Sequence, residues 1–175
     1  QLREMRQQHV VPDVISYSAA ISACEKGGQW LLALAQLREM RQQHVVPDVI
    51  SYSAAISACE KGGQWLLALA HLQEMRQQQL APNVISYNAA ISACEKGGQW
   101  LLALAHLQEM RQQQLAPNVI SYNAAISACE KGGQWLLALA QLREMRQHHL
   151  MPDGISYSAS ISACEKGARW HEALG

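Results

Sequence analysis

The sequence predicts an all-α protein, an α-solenoid of stacked two-helix repeats, and three observations carry that prediction. The chain repeats itself at a fixed interval, each interval holds two apolar stripes at helical spacing, and glycine and proline stand between the stripes. The interval is 35 residues, marked by Tyr17, Tyr52, Tyr87, Tyr122 and Tyr157 and by Trp30, Trp65, Trp100, Trp135 and Trp170. In such arrays each unit touches only its neighbours, and the core runs along the stack. Complete copies span 14–48, 49–83, 84–118 and 119–153. Residues 1–13 read as the end of a preceding copy, and 154–175 as helix A and the start of helix B of a further one. The chain is expected to be a slice of a longer array, cut mid-repeat at both ends.

Within the first complete copy, helix A is expected from about Ser16 to Lys26. Tyr17, Ala20, Ile21 and Cys24 follow i, i+3, i+4, i+7 spacing, one stripe of a helix. Ser16 is the expected N-cap, its hydroxyl accepting from a first-turn amide. Gly27 and Gly28 end the helix. Gly27 is the expected left-handed residue, because the last copy keeps Gly167 but has Ala168 in the second place. Helix B is expected from about Gln29 to Gln43, with Trp30, Ala33, Leu34, Leu37 and Met40 as its buried stripe and Pro47 barring continuation. Neither helix buries its stripe alone, so hairpins must stack. Leu31 and Leu32 fall outside the stripe and are replaced by His171 and Glu172 in the last copy, so they are expected to be partly exposed.

Composition narrows the function. The formal net charge is zero, which argues against indiscriminate electrostatic binding to nucleic acid. No apolar run approaches the roughly 18 to 20 residues of a membrane helix. The five cysteines stand 35 residues apart without a CxxC pair, which points to buried small residues rather than to disulfides or zinc. His148 and His149 are adjacent on a helix and point apart, a poor start for a metal site. No nucleophile with a matched base, carboxylate cluster or glycine-rich phosphate loop is present, so the segment is not expected to be an enzyme or to take a cofactor or small-molecule substrate.

Taken together, V-I-S-Y-[SN], I-S-A-C-E-K-G, A-L, E-M and P-[DN] in this order closely resemble the pentatricopeptide repeat over the whole chain. Leu37 and Trp30 depart from the family's usual residues at core positions. The resemblance implies a right-handed superhelix whose A helices line a groove for single-stranded RNA, one base per repeat. It implies that Ile15, Ile50, Ile85, Ile120 and Ile155 wedge against bases. Base edges would be read by Ser18 with Asp48, Ser53 with Asn83, Asn88 with Asn118, and Asn123 with Asp153. The first fragment adds only Asp13 and the last only Ser158. The family's code then gives 5′-G-A-(C/U)-U-3′ for the four complete repeats. Family members mostly act in mitochondria or plastids, on RNA processing, stability, editing or translation, so that location and that role are expected.

The repeats support this from within. Eight of the 35 columns vary among the four complete copies, and two of the eight are the paired columns, which hold only Ser, Asn or Asp. Such short side chains donate, accept or do both; they are also the residues that cap helices and build turns. Ser18, Ser22 and Lys26 are spaced i, i+4, i+8 on one helix face. Lys26, Lys61, Lys96, Lys131 and Lys166 therefore form a row that suits a phosphate backbone. They equally suit a helix C-terminus, whose dipole favours cations, and the adjacent Glu25 offsets part of the charge on either reading. Two other functions stay open: a protein-binding scaffold with the exposed leucines as contacts, and the RNA-guiding part of a larger nuclease or editing enzyme.

Overall fold

The computed structural model describes residues 7–8 and 10–167. Nine helices lie wholly within them: α1 (Val14–Lys26), α2 (Trp30–Gln42), α3 (Val49–Lys61), α4 (Trp65–Gln77), α5 (Val84–Lys96), α6 (Trp100–Gln112), α7 (Val119–Lys131), α8 (Trp135–Gln147) and α9 (Gly154–Lys166). Odd-numbered helices are the A helices and even-numbered ones the B helices. The chain is an all-α helical-repeat solenoid. The expected start of a helix B at Trp170, and most of the partial copy over 1–13, lie outside the described residues. Two compact units divide the chain, 1–89 and 90–175.

The A helices begin two residues before the expected point. Their N-cap is not Ser16 but the last residue of the preceding copy: Asp13 caps α1, Asp48 α3, Asn118 α7 and Asp153 α9. Ser16 lies three residues into the arrangement and donates its amide to Asp13 Oδ1 at 2.9 Å. The β-branched Val14 and Ile15 conceal this start, because they look like the end of an extended linker. Asp nonetheless caps as well as Ser.

The helix ends also differ from expectation. Gly27 has φ −81° and serves as C-cap, while Gly28, Gly63, Gly98 and Gly133 take the left-handed conformation at φ 67° to 68°. The amide of Gln29 donates to Cys24 O at 2.9 Å and that of Gly28 to Glu25 O at 3.1 Å, the paired bonds of a Schellman end. Gly62 is held to glycine for another reason: a Cβ there would overlap the Trp30 ring, whereas one on Gly27 would meet nothing closer than 3.4 Å. Helix B stops before Pro47 is reached. His44 stands at φ 57°, and Val45 N donates to Met40 O at 3.0 Å. A second Schellman end, with a non-glycine left-handed residue, closes that helix.

In the first unit, α1 packs on α2 and α3, and α3 packs on α2 and α4. Tyr17, Ile21, Ala33, Leu37 and Met40 form a core with Ala54, Ala55 and Ala58 of α3, whose small side chains let the next A helix approach. Trp30 and Leu34 of the expected stripe are only partly buried against this cluster. In the second unit, Ile126 and Cys129 of α7 and Ala138 and Leu142 of α8 close on Ala163 of α9. Burial of a large side chain is worth about 1.5–3 kcal/mol, so these seams hold successive repeats together. Cys59, Cys94, Cys129 and Cys164 are buried, and desolvation pushes the first three thiols up to about 11. All four are packing residues.

Candidate nucleic-acid interface

The variable polar columns meet at the N-termini of the A helices. Asp48 caps α3 and accepts on Oδ1 from the Ser51 amide at 2.8 Å and the Ser51 hydroxyl at 2.7 Å. Ser18, from one repeat back on α1, donates to the same oxygen at 3.2 Å. All these bonds fall on Oδ1. Asn83 is placed similarly: its Oδ1 accepts from the Ser86 amide at 2.9 Å and the Ser86 hydroxyl at 3.0 Å, and Ser53 Oγ lies 3.5 Å away, with its proton directed to Val49 O at 2.7 Å. An amide N–H can only donate, so the atom facing Ser86 N must be the oxygen, and Nδ2 points away. In the second unit Asn123 Nδ2 donates to both oxygens of Asp153, at 3.0 and 3.1 Å. Asn88 and Asn118 fall in different units.

The two members of a pair differ in exposure. Ser18 and Ser53 are 5% exposed and Asn123 9%, whereas Asp48 and Asn83 are half-buried and Asp13, Asp153 and Ser158 exposed. The residue within helix A lies beneath the N-cap residue, which is the one that reaches outward. Partial burial raises the Asp48 carboxyl, but hydrogen bonds from the Ser51 amide, the Ser51 hydroxyl and Ser18 outweigh it and hold the group below its ordinary value. At Asp153 the Ser156 amide is the main cause of the same lowering, and at Asp13 the Ser16 amide. These N-caps are therefore acceptor-only at neutral pH.

Around each pair stands an exposed aliphatic. Ile15 is 77% exposed, and Ile50, Ile85, Ile120 and Ile155 are 60% to 61%. Ile155 and Ser158 line one shallow groove of 560 Å³ with Ala159, Ser162 and Glu130. Lys26, Lys61, Lys96, Lys131 and Lys166 are exposed at the A-helix C-termini. Their charge is offset differently than expected. Lys61 pairs with Glu25, Lys131 with Glu95 at 2.6 Å and Lys166 with Glu130 at 2.5 Å, each glutamate one repeat back rather than adjacent. The Lys166 ammonium is the main cause of a lowered Glu130 carboxyl. On the B helices Leu31, Leu66, Leu101 and Leu136 are 63% to 67% exposed.

The N3 serines are the site residues that sequence reasoning missed. Ser51, Ser86, Ser121 and Ser156 are fully buried, and Ser51, Ser86 and Ser156 each touch both an N-cap and the polar residue of the repeat before. The signal was present as Asp-Val-Ile-Ser, a cap followed three residues later by a side chain able to bond back. No group of three metal-ligating side chains occurs among the described residues, and no helix among them is long and apolar enough to cross a membrane.

Stacked two-helix repeats that bring variable polar side chains together at the A-helix starts of α3, α5 and α9 define a helical-repeat protein with a recurring site. The pentatricopeptide repeat domain model matches residues 2–62, 36–97 and 70–134, and a second repeat model of the same family matches 117–166. The chain belongs to the pentatricopeptide repeat family. Residues 2–166 are repeat sequence throughout. No curated protein sequence shows significant similarity to it. Among solved structures, the maize pentatricopeptide repeat protein PPR10 is 29% identical with a TM-score of 0.73, over 99% of this chain and 25% of that one. PPR10 in complex with an 18-nt psaJ RNA element superposes with a TM-score of 0.78 at 23% identity, over 99% of this chain and 26% of that one. The pentatricopeptide domain of Arabidopsis thaliana protein-only RNase P 1, in complex with tRNA, gives 0.76 at 16% identity, covering 88% and 83%. The chain thus spans about a quarter of the length of PPR10.

Proposed function

We propose that this chain binds single-stranded RNA, one base per repeat, through the paired side chains at the A-helix N-termini. The observation that carries the reading is the meeting of the two variable columns at Ser18–Asp48, Ser53–Asn83 and Asn123–Asp153. Family membership supports it, as do relatives solved with an RNA element and with tRNA. Asp48 spends Oδ1 on internal donors, so Oδ2 is left to accept from the N1–H and N2–H of a guanine. Asn83 spends Oδ1 in the same way, so Nδ2 is left to donate to N1 of an adenine. The exposed isoleucines, Ile15 through Ile155, wedge the bases apart. The proposed preference is 5′-G-A-(C/U)-U-3′ for the four complete repeats, with Asn88 and Asn118 reading the third base.

The lysine row takes second rank. Lys61, Lys131 and Lys166 contact phosphates only in competition with their glutamates, so sequence-blind affinity is weak and its salt dependence shallow. The proposed setting is organellar RNA processing, stability, editing or translation, in mitochondrion or plastid, including service as the guiding part of a larger nuclease or editing enzyme. Four bases at about 1–3 kcal/mol each barely exceed the cost of association, so this stretch alone binds weakly. The deciding experiment is Asn83→Asp with randomised RNA: the second-base preference moves from A towards G and the other three hold. A shift at no base, or at all four, removes the code. The exposed leucines favour a second reading as a protein-binding scaffold. Leu31→Asp with Leu66→Asp abolishes partner binding on that reading and leaves RNA binding intact on the first.

A further inference from the structure

Three of the polar pairs are completed from outside their own repeat. We propose that the buried serine three residues after the N-cap is a positioning residue for base selection, its hydroxyl fixing which atoms of the pair face outward. Nucleic-acid relevance rests on the RNA-binding reading above; the positioning itself does not. In the site of Ser18 and Asp48, the Ser51 hydroxyl lies 2.7 Å from Ser18 Oγ and 2.7 Å from Asp48 Oδ1. In that of Ser53 and Asn83, Ser86 lies 2.8 Å from Ser53 Oγ and 3.0 Å from Asn83 Oδ1. In that of Asn123 and Asp153, Ser156 lies 2.5 Å from Asn123 Oδ1 and 3.0 Å from Asp153 Oδ1.

The chemistry explains why a hydroxyl suits this place. It carries one proton and two lone pairs, so it can accept from a neighbouring hydroxyl or donate to a neighbouring carbonyl. Facing Ser18, Ser51 can accept the hydroxyl proton that Ser18 otherwise turns to Asp48, and pass its own to the Asp48 carboxylate. Facing Asn123, Ser156 must donate, because Oδ1 only accepts. That donation orients the amide and sends Nδ2 to the two Asp153 oxygens at 3.0 and 3.1 Å. One invariant serine therefore serves both Ser and Asn in the variable column, and the column can change without rebuilding the site. A pair with no repeat after it lacks this hydroxyl and is expected to discriminate poorly.

The test uses the whole chain with Ser156→Ala, and Ser160→Ala as control. Ser160 is similarly buried but donates to Ser156 O within its own helix, at 2.8 Å. Binding to 5′-GACU-3′ and its three fourth-base variants is measured by fluorescence anisotropy. Ser156→Ala is expected to cut the preference for U at the fourth base by roughly 3- to 10-fold, leaving the first two bases unaffected. Ser160→Ala leaves all four. Unaltered selectivity in Ser156→Ala, against a parent that does discriminate, overturns the proposal. An RNA-free arm follows the Asp153 carboxyl by NMR: it rises in Ser156→Ala and not in Ser160→Ala. A carboxyl that does not move also overturns the positioning role. A carboxyl that rises while the parent has no fourth-base preference upholds positioning and sinks the base-reading function instead.

Discussion

Two sites built on one frame use different chemistry. At Ser53–Asn83 a hydroxyl approaches an amide whose oxygen is already committed to Ser86, and the 3.5 Å contact is the loosest of the set. At Asn123–Asp153 an amide nitrogen spans both oxygens of a carboxylate at 3.0 and 3.1 Å. Both N-caps accept from a backbone amide and lie 3.0 Å from the same buried serine column. The helix start thus supplies a fixed cradle, and only the outward atom changes. The first site tolerates exchange of its N-cap, because the Ser86 amide and hydroxyl donate to carbonyl or carboxylate alike. The second is tuned to one charge state, because its amide is matched to an ionised partner.

The largest expected effect tests that difference directly. Asn123→Asp replaces the bridging donor with a second carboxylate facing Asp153, within a site whose buried member is 9% exposed. Loss of the donor and the like-charge contact should cost about 2–4 kcal/mol at neutral pH in urea unfolding. Much of it should return near pH 4, where two facing carboxyls can share a proton. By contrast Asn83→Asp should change stability by less than about 0.5 kcal/mol, because the atom facing Ser86 keeps its donors and the Ser53 proton is held by Val49 O at 2.7 Å in either case. Equal costs at the two sites would mean that the pairs do not differ in the way their hydrogen bonds indicate.

A smaller effect follows from acid. The Asp48 and Asp153 carboxyls are held below the ordinary value of 3.8, by the hydrogen bonds described above. A folded-state pKa below the unfolded one contributes stability that is complete above the unfolded value and is lost as pH falls through the folded one. Stability should therefore decline below about pH 4. Asp153→Asn, which cannot titrate, should flatten that decline, whereas Asn83→Asp should steepen it. A pH profile identical in all three proteins would show that the N-caps are not coupled to folding.

The contrast between these sites also marks how far the sequence reaches. The period and the two stripes were legible, because they are written at fixed offsets, and the pairing of the variable columns was implied by the family resemblance. Tyr17, Ile21, Leu37 and Met40 are buried where periodicity put them. Three features were not legible. Helix A begins at Val14 because Asp13 caps it, and Val14 and Ile15 mimic a linker. Gly28 rather than Gly27 takes the left-handed turn, while Gly62 is fixed by the Trp30 ring of another repeat. Ser51 and Glu25 find their partners at separations of 33 and 36 residues, which only stacking brings together. What a helix does alone could be read; what its neighbour supplies could not.

The smallest expected effect concerns the charges that flank both sites. Lys61 on α3 and Lys131 on α7 share helices with Ser53 and Asn123, and each is tied to a glutamate one repeat back. Their side chains are 42% and 45% exposed, so each pair is worth about 0.2–1 kcal/mol and is screened by salt. Lys61→Ala and Lys131→Ala should therefore cost similar small amounts, vanishing at about 1 M salt, where the screening length is near 3 Å. No ion pair of Lys26 is formed among the described residues, so Lys26→Ala should cost less in stability than either of the other two. The same three variants separate the two duties of the lysine row. If the row serves phosphates, Lys26→Ala should flatten the slope of log affinity against log salt more than the other two, because no glutamate among the described residues competes for its ammonium. If the row is only an inter-repeat tie, none of the three alters that slope, and the readers at the N-caps carry the interaction without it.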